Sequence, residues 1–128
     1  MTLKQFYTQT VSSIGTTDAR AIIMHVLDLD GTRFVLDMDR EISPEKLKTL
    51  EQAVRRRIDG EPVAYITGER GFFENTFKVS PATLIPRADT EILVEDAIAE
   101  ISKRFSDRKV IRILEVQVLL YILLLIIK

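Results

Sequence analysis

Cysteine is absent from this chain, and that absence removes three kinds of chemistry at once. There can be no disulfide framework, no thiolate nucleophile and no cysteine-ligated metal. Histidine occurs once, at His25, so a histidine-based metal site or catalytic triad has nothing to build on. Net charge is almost nil: 18 basic against 19 acidic residues leave −1, which argues against nucleic acid as a direct partner. No apolar N-terminal segment follows Lys4, so no secretory signal is expected, and the cytoplasm is the expected location. Glycine is sparse, with five residues that all lie at or before Gly71.

What remains is length and periodicity. A chain of 128 residues supports one domain, or one small domain plus part of another. It can bury roughly two-thirds of its unfolded surface without covalent staples. Apolar residues at Leu3, Phe6, Tyr7, Val11 and Ile14 recur at helical spacing, and Gly15 ends the run. A second helix is expected with Thr16 or Thr17 as its cap and Ala19, Ile22, Ile23, Val26 and Leu27 on one face. A polar break at 28–32 and a short apolar piece at 34–38 follow. Ser43, Pro44 and Glu45 announce a third helix, with Leu47, Leu50, Val54 and Ile58 inward and Gly60 closing it. Such faces cannot be buried singly, so these helices should pack as a small antiparallel bundle.

After Pro62 the character changes. PVAYITGERGFFENTFKVS is aromatic and β-branched, which predicts a short helical turn and then a hairpin. Glu74 and Asn75 stand between its apolar runs, so Phe72–Phe73 should pair with Phe77–Val79. Pro81 and Pro86 stiffen the next loop. Asp89 or Thr90 should cap a helix with Val94, Ala97, Ile98, Ile101 and Phe105 inward. The predicted helices fall near 3–14, 17–28, 44–59 and 90–105, the hairpin near 71–79, and a buried strand near 110–116.

Three groups invite a chemical reading and receive a plainer one. Asp37, Asp39 and Glu41 lack the glycine turn and distal glutamate of a calcium loop, so a solvated acidic connection is expected. Arg55, Arg56 and Arg57 could meet phosphate, but beside inward Val54 and Ile58 they read as a solvated helix face. Phe72, Phe73 and Phe77 read as the packing face of the hairpin rather than a substrate platform.

The stretch EPVAYITGERGFFENTFKVSPATLIPRADTEILVEDA resembles the region joining the two domains of the HemK family, the protein-(glutamine N5) methyltransferases that act on peptide chain release factors. VSPATLIPRADTE is its most specific part, and RRRIDGEPVAYITG is similar to the end of that family's helical domain. The resemblance runs from about residue 3 to 116. Ala88 departs from it, because the family usually has proline there.

The resemblance implies a mainly α fold. An N-terminal helical bundle would be followed by a β-hairpin, a linker helix and the first strand of a truncated Rossmann-like methyltransferase domain. It divides the chain into a release-factor-recognition domain at 1–60, a linker at 61–89 and the start of the methyltransferase domain at 90–116. An apolar tail foreign to the family occupies 117–128. It further implies S-adenosylmethionine as the family's cofactor and a peptide chain release factor as its protein partner. Arg87, in the loop placed beside the cofactor pocket, could pair with a carboxylate of the cofactor or with Asp89 or Glu91. The resemblance also sets Glu115 against the acidic residue often found at the strand end.

A cofactor crevice there needs a glycine-rich turn, so that backbone can approach the ligand. This chain has Gln117-Val118-Leu119-Leu120-Tyr121 instead, and branched side chains would fill the space for methionine and ribose. It also ends before the family's Asn-Pro-Pro-Tyr loop. No intact cofactor site, no catalytic residue and no metal site are therefore expected. The abrupt change after Val116 reads as a shifted reading frame, and the chain as an inactive N-terminal fragment. The apolar run from Val118 to Ile127 is ten residues, against about twenty for a membrane span, so no membrane partner is expected.

Overall fold

A computed structural model of the chain describes residues 1–107. These form two compact units, one of Met1–Gly71 with Thr76–Ile85, the other of Phe72–Asn75 with the chain from Pro86 onward.

The first unit is a helical bundle. Helix α1, Leu3–Ile14, opens with a capping box: Thr2 Oγ1 accepts from the Gln5 amide, and the Thr2 amide donates to Gln5 Oε1. The next amides of its first turn do not go unmet. Leu3 and Lys4 donate to the carbonyls of Arg40 and Met38, and Thr2 bridges Glu41 in antiparallel fashion. Helix α2, Thr16–Leu27, follows after one residue. Gly15, at φ 84°, is at once the C-cap of α1 and the N-cap of α2. The expected threonine cap is therefore corrected. A one-residue junction needs positive φ, glycine supplies it, and Thr16 is already helical.

Helix α2 ends in a Schellman turn, with Asp28 in the left-handed region at φ 55°. The Asp28 amide donates to the His25 carbonyl and the Leu29 amide to that of Met24. Helix α3, Gly31–Leu36, was not foreseen in the stretch read as a break and an apolar piece. Asp30 caps it by accepting from the Arg33 amide at 2.7 Å, and Phe34 is its buried residue. The Phe34 ring meets Tyr7 edge-on, with centroids 5.3 Å apart, and lies under the Arg20 guanidinium.

Helix α4, Pro44–Ile58, starts as expected, with the Ser43 hydroxyl accepting from the Lys46 amide. A second Schellman turn closes it at Gly60: the Gly60 amide reaches the Arg57 carbonyl and the Glu61 amide that of Arg56. Its inward face needs one correction. Leu50 and Ala53 are buried and Leu47 and Val54 half-buried, but Ile58 is 57% exposed. At 3.6 residues per turn the stripe passes from Leu50 and Val54 to position 57, and Arg57 takes it. Helix α5, Val63–Thr67, is the foreseen short turn and buries Ala64. The bundle core is Leu3, Phe6, Ile22, Ile23, Phe34, Ile42, Leu50 and Ala53.

Strands β1, Glu69–Phe72, and β2, Asn75–Lys78, form a two-stranded antiparallel sheet. The expected turn is off by one residue, which moves each cross-strand partner by two. The turn residues are Phe73 and Glu74, both at positive φ (41° and 58°), not Glu74 and Asn75. Two consecutive left-handed residues match the twist of a hairpin, and the Asn75 side chain closes the turn by donating to the Phe73 carbonyl. Phe72 therefore faces Asn75, and the Val79 amide reaches the Gly68 carbonyl at the far end.

In the second unit, helix α6, Ala88–Arg104, starts after Arg87, two to three residues earlier than the expected caps. Asp89 and Glu91 lie in its first turn, where carboxylates favour the helix dipole, and neither is the cap. Its inward stripe is as foreseen: Val94 is buried and Ala97, Ile98, Ile101 and Phe105 are half-buried. Phe72 is buried in the same unit, and Glu91 Oε1 accepts from the Phe73 amide at 3.4 Å. The described residues are mainly helical with one small sheet. The strand expected near 110–116 lies outside them.

Candidate functional site

Arg87 is exposed at the entry to α6. Neither Asp89 nor Glu91 pairs with it, and its guanidinium makes no ion pair among the described residues. Glu91 instead holds the Phe73 amide, which leaves Arg87 as a cation with its donors unspent. Glu115, the other candidate, lies outside the described residues.

The arginine run divides its labour. Arg56 grips Glu61 with two parallel bonds, Nε to Oε2 at 2.6 Å and Nη2 to Oε1 at 2.5 Å. Arg57 Nε donates to Asp18 Oδ2 at 2.6 Å, and its Nη1 reaches the Glu61 carbonyl at 3.4 Å. Bidentate pairing holds the Glu61 carboxyl below its ordinary range and raises the Arg56 guanidinium, in each case first through the hydrogen bonds and then through charge. Two of the three arginines thus serve the fold, and Arg55 is exposed. Asp37 pairs with Arg40, and Glu41 pairs with the terminal ammonium at 2.7 Å. No group of residues that could hold a metal occurs among the described residues.

A recess of about 180 Å³ lies under the junction of α1 with the 37–43 segment. Lys46 reaches the Val26 carbonyl at 2.7 Å on its wall. A larger, shallower groove of about 430 Å³ runs between α2, α5 and β1. Met24, Leu29, Val63 and Ala64 form its floor, and His25, Asp28, Glu69 and Arg70 its rim. His25 stands exposed on that rim. Sequence patterns did not reveal this groove, because its residues come from three separate elements.

Around these features the Ser80–Thr83 turn is rigidly tied. Thr83 Oγ1 accepts from the Ser80 amide and donates to the Ser80 carbonyl, while Tyr65 Oη donates to the Thr83 carbonyl at 2.8 Å. The next residue, Leu84, is 83% exposed.

The architecture is that of a small helical domain whose chain leaves through a hairpin and a proline-stiffened loop. Residues 5–68 match the family described as PrmC N-terminal domain, which is half of the chain, and the chain belongs to that family. It is similar to the release factor glutamine methyltransferase of Aliivibrio fischeri, 44% identical over 81 residues, or 63% of this chain and 28% of that protein. The Escherichia coli protein of the same name is 40% identical over 87 residues, 68% of this chain and 31% of its own length. That of Xylella fastidiosa is 38% identical over 103 residues, 80% of this chain and 37% of its own. The matched stretch thus spans about a third of the length of these relatives. Among the described residues no helix is long and apolar enough to cross a membrane.

Proposed function

We propose that this chain is the release-factor-holding part of a release factor glutamine methyltransferase and transfers no methyl group itself. The observation that carries the reading is where the family match falls. It covers the helical bundle and α5, and the relatives that share this stretch are named release factor glutamine methyltransferases. The inactive half of the reading rests on Gln117-Val118-Leu119, which stand where the family's cofactor turn needs glycine. In the bundle, Arg57, Arg56 and Lys46 are spent on internal contacts, and the outer faces of α1, α2 and α4 stay free to meet a partner. One small domain offers at most about 1,200 Å² of total buried area, the range of weak and transient contacts, so binding should be micromolar or weaker.

S-adenosylmethionine belongs to this reading as the cofactor of the whole methyltransferase. Its turn would need glycine after the strand that the sequence leads one to expect near 112–116, and this sequence has Gln117-Val118-Leu119. Arg87 would be the residue of this chain that faces the cofactor or its neighbourhood. Calorimetric titration with S-adenosylmethionine should give no saturable heat up to millimolar concentration. A micromolar dissociation constant would overturn the inactive reading.

The recognition reading is tested by NMR titration of the labelled chain with a release factor and with an unrelated protein of similar charge. Shifts confined to contiguous helical-surface residues, and only with the release factor, support it. A second reading, a remnant that binds nothing, is favoured by the abrupt apolar change after Val116, which is what a shifted frame produces. Equal or absent shifts with both proteins would select it, and the other two frames of the coding DNA should then restore a glycine-rich continuation. Both readings place the protein in the cytoplasm.

A further inference from the structure

The register of the hairpin leaves one residue of β1 open. Phe72 faces Asn75 across the turn, and the Val79 amide donates to the Gly68 carbonyl at the other end, so the hydrogen-bonded positions are 72 with 75, 70 with 77 and 68 with 79. In an antiparallel pair the intervening residues turn their amide and carbonyl outward. On β1 these are Glu69 and Gly71. The Thr67 hydroxyl already serves Glu69, accepting from its amide at 3.4 Å and sharing its one proton between the Glu69 carbonyl at 3.2 Å and the Val63 carbonyl at 3.1 Å. Gly71 keeps an outward amide and carbonyl with no partner among the described residues.

Nothing in the fold of Gly71 asks for glycine. Its φ is not in the left-handed range, and a Cβ built on it would meet nothing within 4 Å. Glycine in a strand weakens it and often marks a place where another backbone comes close. Beside this bare edge lies the 430 Å³ groove, and Glu69, Arg70 and Gly71 all line it. Side chains alternate across a strand, so three consecutive residues share one cavity only where it follows the strand edge.

We infer that the free edge of β1 at Gly71 receives an extended segment of the release factor, which adds a strand to the hairpin. The inference rests on the recognition reading above. An apolar side chain of that segment sits over Met24, Leu29, Val63 and Ala64. A basic one faces Asp28 and Glu69, two exposed carboxylates with no ion pair among the described residues, while Arg70 takes an acidic neighbour. A second copy of the hairpin fits worse. Antiparallel pairing centred on Gly71 would set residue 69 against 73, which is already in the turn, so the ladder stops after one residue on either side.

The test is amide exchange of the labelled full chain, with purified release factor as the probe, alongside Gly71→Pro and Gly71→Ala variants. Proline removes the donor at an edge position where it is tolerated, and alanine keeps it. On saturation the Gly71 amide should exchange about tenfold more slowly or better, and Gly71→Pro, which lacks the donor, should bind about tenfold more weakly than Gly71→Ala, which keeps it. Binding with unchanged Gly71 exchange and an unaffected proline variant overturns the edge pairing and leaves the recognition reading standing. No binding by the parent chain overturns both. Protection of Gly71 that grows with chain concentration in the absence of release factor assigns the edge to a second copy and overturns the choice of partner. The exchange measurement on the parent decides the matter even if the proline variant fails to fold.

Discussion

Arg57 Nε lies 2.6 Å from Asp18 Oδ2, joining the last turn of α4 to the first turn of α2 across 39 residues of sequence. Both side chains keep about a third of their surface in water, 33% and 28%. The pair is a charge-assisted hydrogen bond in a half-wet site, so it is worth more than an exposed pair and less than a buried one. Arg57→Ala should cost about 1 kcal/mol, and a double-mutant cycle with Asp18→Ala should return a coupling of about 0.5–1 kcal/mol. Denaturant melts measure both. Additive single effects would show that the pair fixes nothing.

Leu50 and Ile58 were read from sequence as one face of α4, and they separate in the fold. Leu50 is fully buried, so Leu50→Ala should cost about 2–5 kcal/mol. Ile58 is 57% exposed, and Ile58→Ala should stay within about 0.5 kcal/mol of the parent. Equal losses would mean that the inward stripe ends at 58 after all.

That contrast shows which parts of this fold sequence can display. Ser43-Pro44-Glu45 was legible because a cap is local chemistry, complete within four residues. The α6 stripe was legible because its period persists for several turns. Helix α3 was not, since six residues with a single buried Phe34 show no period. The hairpin turn misled because Phe73 and Glu74 carry none of the usual glycine or asparagine signal of left-handed residues. Arg57 was read as solvated because its partner Asp18 is remote in sequence. The groove beside Gly71 was invisible for the same reason, and Arg87 was visible as a cation but not as one without an ion pair among the described residues.

Asp28 occupies a position that favours glycine. At φ 55° and ψ 53° its Cβ crowds the backbone, while the Schellman bonds to His25 and Met24 need only the main chain. Asp28→Gly should relieve that crowding. It should also lose some stability through the more flexible unfolded chain, so the net gain is about 0.5 kcal/mol, up to about 1. Thermal melts of the two proteins decide it. A loss would mean that the Asp28 side chain stabilises the turn in its own right.

The Arg56–Glu61 pair closes the Schellman turn of α4 with side chains as well as backbone, and it gives the bundle a dependence on acid. Hydrogen bonds from Arg56, and then its charge, hold the Glu61 carboxyl below its ordinary value of 4.5. A group whose folded value is lowered takes up protons less readily folded than unfolded. Its contribution is therefore whole above the ordinary carboxylate value and is lost as pH falls through the lowered one. Arg56, raised above its ordinary value by the same hydrogen bonds, acts in the opposite direction, and only in strong alkali. Comparing the parent with Glu61→Gln isolates the carboxyl. The stability difference between them should be flat from neutral pH down to the ordinary carboxylate range, and should then shrink as acid protonates Glu61. The two curves should converge once the lowered value is passed. Urea melts at a series of pH values measure this, with Arg56→Gln as the control that removes the donor. If the difference persists unchanged into acid, the carboxylate is not held by Arg56 in solution, and the turn stands on Gly60 and its backbone bonds alone.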